Sequence, residues 1–88
     1  MERGQIIGYD NNRLAFEFTM RDAEGTVYCK ISSTAMDELA GIKGARPSER
    51  EAQFLQFRDE IERVASSLFD KGVRGPMRLI RIFHHHIE

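Results

Sequence analysis

Eighty-eight residues, 41% hydrophobic and 31% charged, make one small folded unit and leave no room for two lobes around a substrate cleft. Fourteen acids against thirteen bases give a formal net charge of −1, which excludes a polycation and an acidic disordered tail. No apolar run approaches the roughly 20 residues of a membrane helix, and the single cysteine excludes a disulfide framework or a multi-cysteine zinc site. The start of the chain lacks the basic-then-apolar layout of a signal peptide. The expectation is one cytoplasmic domain over residues 1–88, ordered from about 5 to 83, with a His-rich tail at 84–88.

Gln5 to Tyr9 is a short apolar stretch that ends at Asp10-Asn11-Asn12, side chains that favour turns. From Arg13 to Met20 the apolar residues Leu14, Phe16, Phe18 and Met20 alternate with smaller or polar ones, the period of a half-buried strand. Arg21 to Gly25 reads as a hairpin loop. Alternation resumes from Thr26 to Ser32, with Val27, Cys29 and Ile31 on one face and Tyr28 and Lys30 on the other.

The period then lengthens to about 3.6. Ser32, Ser33 and Thr34 are possible N-caps, and Thr34 with Asp37 resembles a capping box. Met36, Leu39 and Ala40 give a short helix its apolar stripe, and Gly41 is placed to end it. After a linker over 41–47, Ser48 and Glu51 form a second expected capping box at the head of one long helix. Phe54, Phe57, Ile61, Val64 and Leu68 follow a 3–4–3–4 spacing, and Leu55, Ala65 and Phe69 widen the stripe to the width that covers a sheet. Asp59 and Arg63 stand at i, i+4 on the wet side. Gly72 stops the helix, Gly75-Pro76 turns the chain, and Met77 to Phe83 reads as a last strand with mixed parity, from a bulge or from two partly covered faces.

These elements predict an α+β fold in the order β-β-β-α-α-β. Its antiparallel sheet has three or four strands, with one short and one long helix packed on one face. The expected core holds Leu14, Phe16, Phe18, Val27, Cys29, Ile31, Leu39, Phe54, Phe57, Ile61, Val64, Leu68 and Leu79.

The run Tyr28-Cys29-Lys30-Ile31-Ser32, the Ala35-Met-Asp-Glu-Leu39 helix, the stretch Phe54-x-x-Phe57-Arg58-x-x-Ile61-Glu62-x-x-Ala65 and the closing strand resemble a family of small bacterial proteins, domain of unknown function 1488. The resemblance spans about Tyr9 to Phe83. Most matching positions are apolar, and Arg58 and Glu62 are its polar landmarks. It implies a compact α+β fold in a bacterial cytoplasmic protein and no particular activity; some relatives carry a transcriptional-regulator label. The end at His84–His86 departs from the family pattern.

Candidate chemistry is thin. Cys29 would need a nearby cation or base and some exposure to act as a nucleophile or redox thiol. Its parity with Val27 and Ile31 makes it a small buried hydrophobe instead. There is no Gly-x-Ser-x-Gly turn. In an extended tail only His84 and His86 could converge on a metal, and two imidazoles make a weak site, so a solvated terminus is the plainer expectation. Asp37-Glu38, Glu49 with Glu51, and Asp59-Glu60 with Glu62 lie beside one another on helices, not across a cleft as acid–base pairs do. No cofactor and no catalytic constellation is expected.

Binding is the better prospect. The linker brings Lys43 and Arg46 to Ser48 at a helix start, a possible anion loop, although it is no Walker loop and Glu49 and Glu51 would repel an anion. Charge is also polarised along the chain: residues 1–46 hold six bases and seven acids, 47–70 three and six, and 71–88 four and one. Lys71, Arg74, Arg78 and Arg81 thus form a basic C-terminal quarter, a candidate patch for an anionic partner or an edge strand defended against self-pairing. Expected partners are another protein or a second copy, through an exposed strand or helix face, with nucleic acid on the basic quarter as the alternative and no membrane. An enzyme using Cys29 ranks third.

Overall fold

The structure, a computed structural model, describes residues 1–73, 75, and 78–87. Four strands form one sheet in the order β1-β2-β3-β4: β1 (Glu2–Asp10), β2 (Ala15–Asp22), β3 (Gly25–Ser32) and β4 (Ile80–Ile82). Three α-helices lie between β3 and β4: α1 (Ser33–Ala40), α2 (Arg50–Gln56) and α3 (Arg58–Asp70). The α+β class stands, but the sheet is mixed. β1 to β3 form an antiparallel meander, whereas β4 pairs parallel to β3, with Cys29 opposite Ile80, Lys30 opposite Arg81 and Ile31 opposite Ile82. A parallel neighbour needs a long crossover, which the three helices supply.

The two turns of the meander are made by side chains. Asp10 Oδ1 accepts the backbone N–H groups of Asn12 and Arg13 at 3.0 and 3.2 Å, and Asp22 Oδ1 accepts that of Glu24 at 2.9 Å. The first turn closes on Leu14 with a left-handed backbone, φ 53°. β2 therefore starts at Ala15, and Leu14 is 57% exposed instead of joining the expected core. Its carbonyl accepts both the N–H and the hydroxyl of Ser33 at 2.9 Å, tying the turn to the start of α1.

Period-two alternation sends Phe16, Phe18 and Met20 of β2, with Val27, Cys29 and Ile31 of β3, toward the helices, where all are buried. Phe54 of α2 stacks on Phe16 at a centroid distance of 4.6 Å and meets Phe18 at 4.9 Å. Ile61, Ala65 and Leu68 of α3 complete the cover, and Leu39, Phe57 and Val64 pack at its margin. On β4 the buried residues are Ile80 and Ile82, not Leu79. Arg78 stands just before the strand with φ 62°, so the paired strand begins only at Ile80. Met77 lies outside the described residues.

Of the three possible N-caps Ser32 is the one that caps α1, its hydroxyl accepting the Ala35 N–H at 3.1 Å, while the second helix start differs from expectation. Pro47 opens a 3₁₀ turn ahead of α2, so the Glu49 carboxylate, not Glu51, reaches back to the Arg46 N–H at 2.8 Å. The expected single long helix breaks at Phe57 (φ −111°, ψ 18°) without a glycine or proline to mark the place. Leu55, just before that break, is exposed.

Candidate functional site

Cys29 is buried between Val27 and Ile31, and burial followed by the Glu62 charge pushes its thiol up to about 12. A thiol so placed has neither the access nor the thiolate character of a nucleophile. Among the described residues no group of three or more metal-ligating side chains comes together. His84 to His86 form a 3₁₀ turn instead of an extended tail, and His86 Nδ1 accepts the Phe83 N–H at 2.9 Å.

Around the linker, Gly44, Arg46 and Arg50 have acidic partners. Asp37 accepts the N–H of Gly44 at 3.0 Å, Nη1 of Arg50 at 2.6 Å and the amide of Gln53 at 3.2 Å. Burial works against this carboxylate, but its donors, Arg50 first, outweigh burial and hold it below the usual range. Arg46 lies 3.5 Å from Glu49. Lys43 and Ser48 are exposed.

The paired acids of the helices are also partnered. Glu62 accepts Arg3 Nε at 3.0 and 3.1 Å and Arg58 Nε at 3.0 Å, so the two family landmarks, Arg58 and Glu62, bind each other. Asp59 pairs with Arg3 at 2.7 Å and Arg63 with Glu60 at 2.9 Å, in place of the expected Asp59–Arg63 pair. This network pins α3 to β1.

Of the basic C-terminal quarter, Arg78 pairs with Asp22 and lies 5.6 Å from the Phe69 ring centre. Lys71 ends α3 in solvent, Arg81 is exposed on β4, and Arg74 lies outside the described residues. The structure instead gathers Arg81 with cations from elsewhere in the chain. Parallel pairing sets Arg81 beside Lys30, which leans to 3.5 Å from Glu17 on its other side. Arg13, from the first turn, joins them on the walls of one groove with Leu14 and Phe83.

This groove belongs to the sheet face that the helices do not cover. Alternation that sends Phe18 and Cys29 inward sends Thr19, Tyr28, Lys30 and Arg81 outward. Ile7 and Tyr28, 55% and 50% exposed, line a second groove of that face with Thr19 and Arg21. The open face thus exposes apolar and aromatic groups beside a cluster of cations. Sequence reasoning missed Arg13 and Lys30 as partners of Arg81; the alternation of β3 marked Lys30 as outward, but nothing local marked β4 as its neighbour.

The fold and surface define a small α+β protein with one helix-covered and one open sheet face. The chain belongs to the family described as protein of unknown function DUF1488, which matches residues 4–80. It is similar to the crystal structure, at 1.60 Å resolution, of a protein of unknown function from the DUF1488 family of Shewanella loihica PV-4. The TM-score is 0.77 and the identity 21%, covering 93% of each chain. No curated protein matches.

Proposed function

We propose that the protein is a non-enzymatic binding module of the bacterial cytoplasm, acting through protein–protein contacts made by the open face of its sheet. The observation that supports this reading is the grouping of Ile7, Tyr28, Leu14 and Phe83, all exposed, along the two grooves of that face. Isolated exposed apolar residues are ordinary, whereas several on one face beside cations have the composition of an interface core and rim. The bacterial source of the similar crystal structure and the single, buried cysteine fit the proposed compartment. Among the described residues no helix is long and apolar enough to cross a membrane.

The test is affinity capture from a bacterial lysate with the wild-type chain and with Ile7→Asp and Tyr28→Asp, each checked for folding, together with sedimentation over a range of concentrations. Stoichiometric capture of one protein, lost in both variants, is the expected result. Concentration-dependent self-association lost in the same variants would put a second copy on the face. Capture that neither variant alters, or a strict monomer that captures nothing, overturns the reading.

Nucleic-acid binding is the second reading, favoured by the exposure of Arg81 next to Lys30. Three or four phosphate contacts predict a log–log salt slope of about −3 on duplex DNA. Anisotropy titration at several salt concentrations tests it, and no binding at low salt ends it.

A further inference from the structure

We infer that the groove walled by Arg13, Lys30 and Arg81 receives a carboxylate borne by an acidic, partly apolar segment of the partner protein. This inference rests on the open sheet face being the contact surface and names what one end of that face recognises.

Three observations converge. First, Lys30 and Arg81 face each other across the parallel β3–β4 pair, on the outward side. Like charges opposite each other on neighbouring strands repel, and an anion seated between them removes the repulsion. Second, the acids within reach do not satisfy the cluster. Glu17 stands 3.5 Å from Lys30 and Asp10 3.9 Å from Arg13, both long for a charge-assisted hydrogen bond, and Arg81 has no ion-pair partner among the described residues. Third, the groove has an apolar side, formed by Leu14 and Phe83.

Size and surroundings select the ligand. The groove holds about 240 Å³, below the roughly 300–1,000 Å³ of small-molecule sites and suited to one side chain or a chain terminus. A nucleic-acid strand needs a track of cations with stacking rings. Beyond this groove the open face continues as Thr19 and Tyr28, and the next cation, Arg21, lies 3.7 Å from Glu2. That is a seat for one anion, not a phosphate track. An arginine can grip a carboxylate through two parallel N–H groups while the ligand's apolar stem lies against Leu14 and Phe83.

The experiment is an amide-resolved NMR titration of the full chain with a short N-acetylated peptide of alternating Asp and Leu. A single-stranded oligonucleotide is the parallel arm. Saturable shifts at Arg13, Lys30 and Arg81 are expected. Arg81→Ala and Lys30→Ala should each weaken binding about tenfold or more, and Arg63→Ala, on α3, should not. Shifts spread over all the cations, equal losses in Arg63→Ala, or saturation by the oligonucleotide and not the peptide would overturn the inference. Partner capture lost in Tyr28→Asp yet kept in Arg81→Ala would leave the open-face reading standing and remove this one alone.

Discussion

Arg3 and Glu62, fifty-nine residues apart in sequence, meet through Nε of the arginine at 3.0 and 3.1 Å from the two carboxylate oxygens. Glu62, 8% exposed, is shared with Arg58 on its own helix, so one acid holds α3 against the edge strand β1. Glu62→Gln keeps the shape and removes the charge, and should lower stability by about 1–3 kcal/mol, read from the urea midpoint. Arg58→Ala should be more damaging than Arg3→Ala, because the Arg3 side chain is half in solvent and screened. Equal stability of Glu62→Gln and wild type would contradict the clamp.

Asp37→Asn tests the second network. Arg50 is 4% exposed and its guanidinium faces Asp37 at 2.6 Å, so removing the acid leaves a buried cation without its counter-charge. A loss of about 3 kcal/mol is expected. The pKa of Asp37 is lower folded than unfolded, so its contribution is present above the unfolded value and fades as pH falls through the folded one. Chemical denaturation at stepped pH should therefore show an acid limb in wild type that is shallower in Asp37→Asn.

Gly4 is required by a close approach. A Cβ there would lie 2.5 Å from both the carbonyl oxygen and the side-chain hydroxyl of Thr19. Gly4→Ala should destabilise by about 1–3 kcal/mol, seen as a lower Tm. Thr19→Ala would not rescue it, because the backbone oxygen stays in place. Gly8 has open space where its Cβ would stand, but its φ of 131° strains any other residue there through the backbone instead.

Cys29 should be silent toward thiol reagents in the native protein and react stoichiometrically after denaturation. Its thiol, with a pKa near 12 and no access to solvent, needs global or local opening to react. Labelling of native protein within the mixing time would revive a redox or nucleophilic role.

His86 should titrate below the free-histidine value of ~6.5, since burial and then the neighbouring His85 charge oppose its protonation. Its neutral Nδ1 accepts the Phe83 N–H, so this contact is intact above the unfolded pKa and is lost as pH falls through the folded one. NMR titration of the ring protons checks this, and a midpoint above that of an unfolded histidine peptide would refute it.

The meander, the first helix and its Gly41 stop were legible in the residues because each rests on local chemistry: period-two alternation, side-chain turns, and a glycine with φ 69°. The parity of β4 was not. Its three residues are too few to show a period, and the left-handed Arg78 offsets the pattern just ahead of them. The break at Phe57 has no glycine or proline signal. The cation cluster was illegible for a further reason: Arg13, Lys30 and Arg81 come from a turn and two strands, and only the parallel pairing of β3 with β4 brings them together. Segment charge pointed to the C-terminal quarter, yet its Arg78 is turned to Asp22 and Phe69.

The parallel seating of β4 also orders events on the folding path. β1 to β3 are joined by tight turns and can close on contacts of short sequence separation, whereas β4 reaches β3 only after the whole helical crossover has been laid down. Until then the backbone edge of β3, with Cys29 and Ile31 beside it, is an unprotected template for pairing with other chains. A nascent chain, or one cut before Ile80, would present that edge, and aggregation of such fragments would begin at β3.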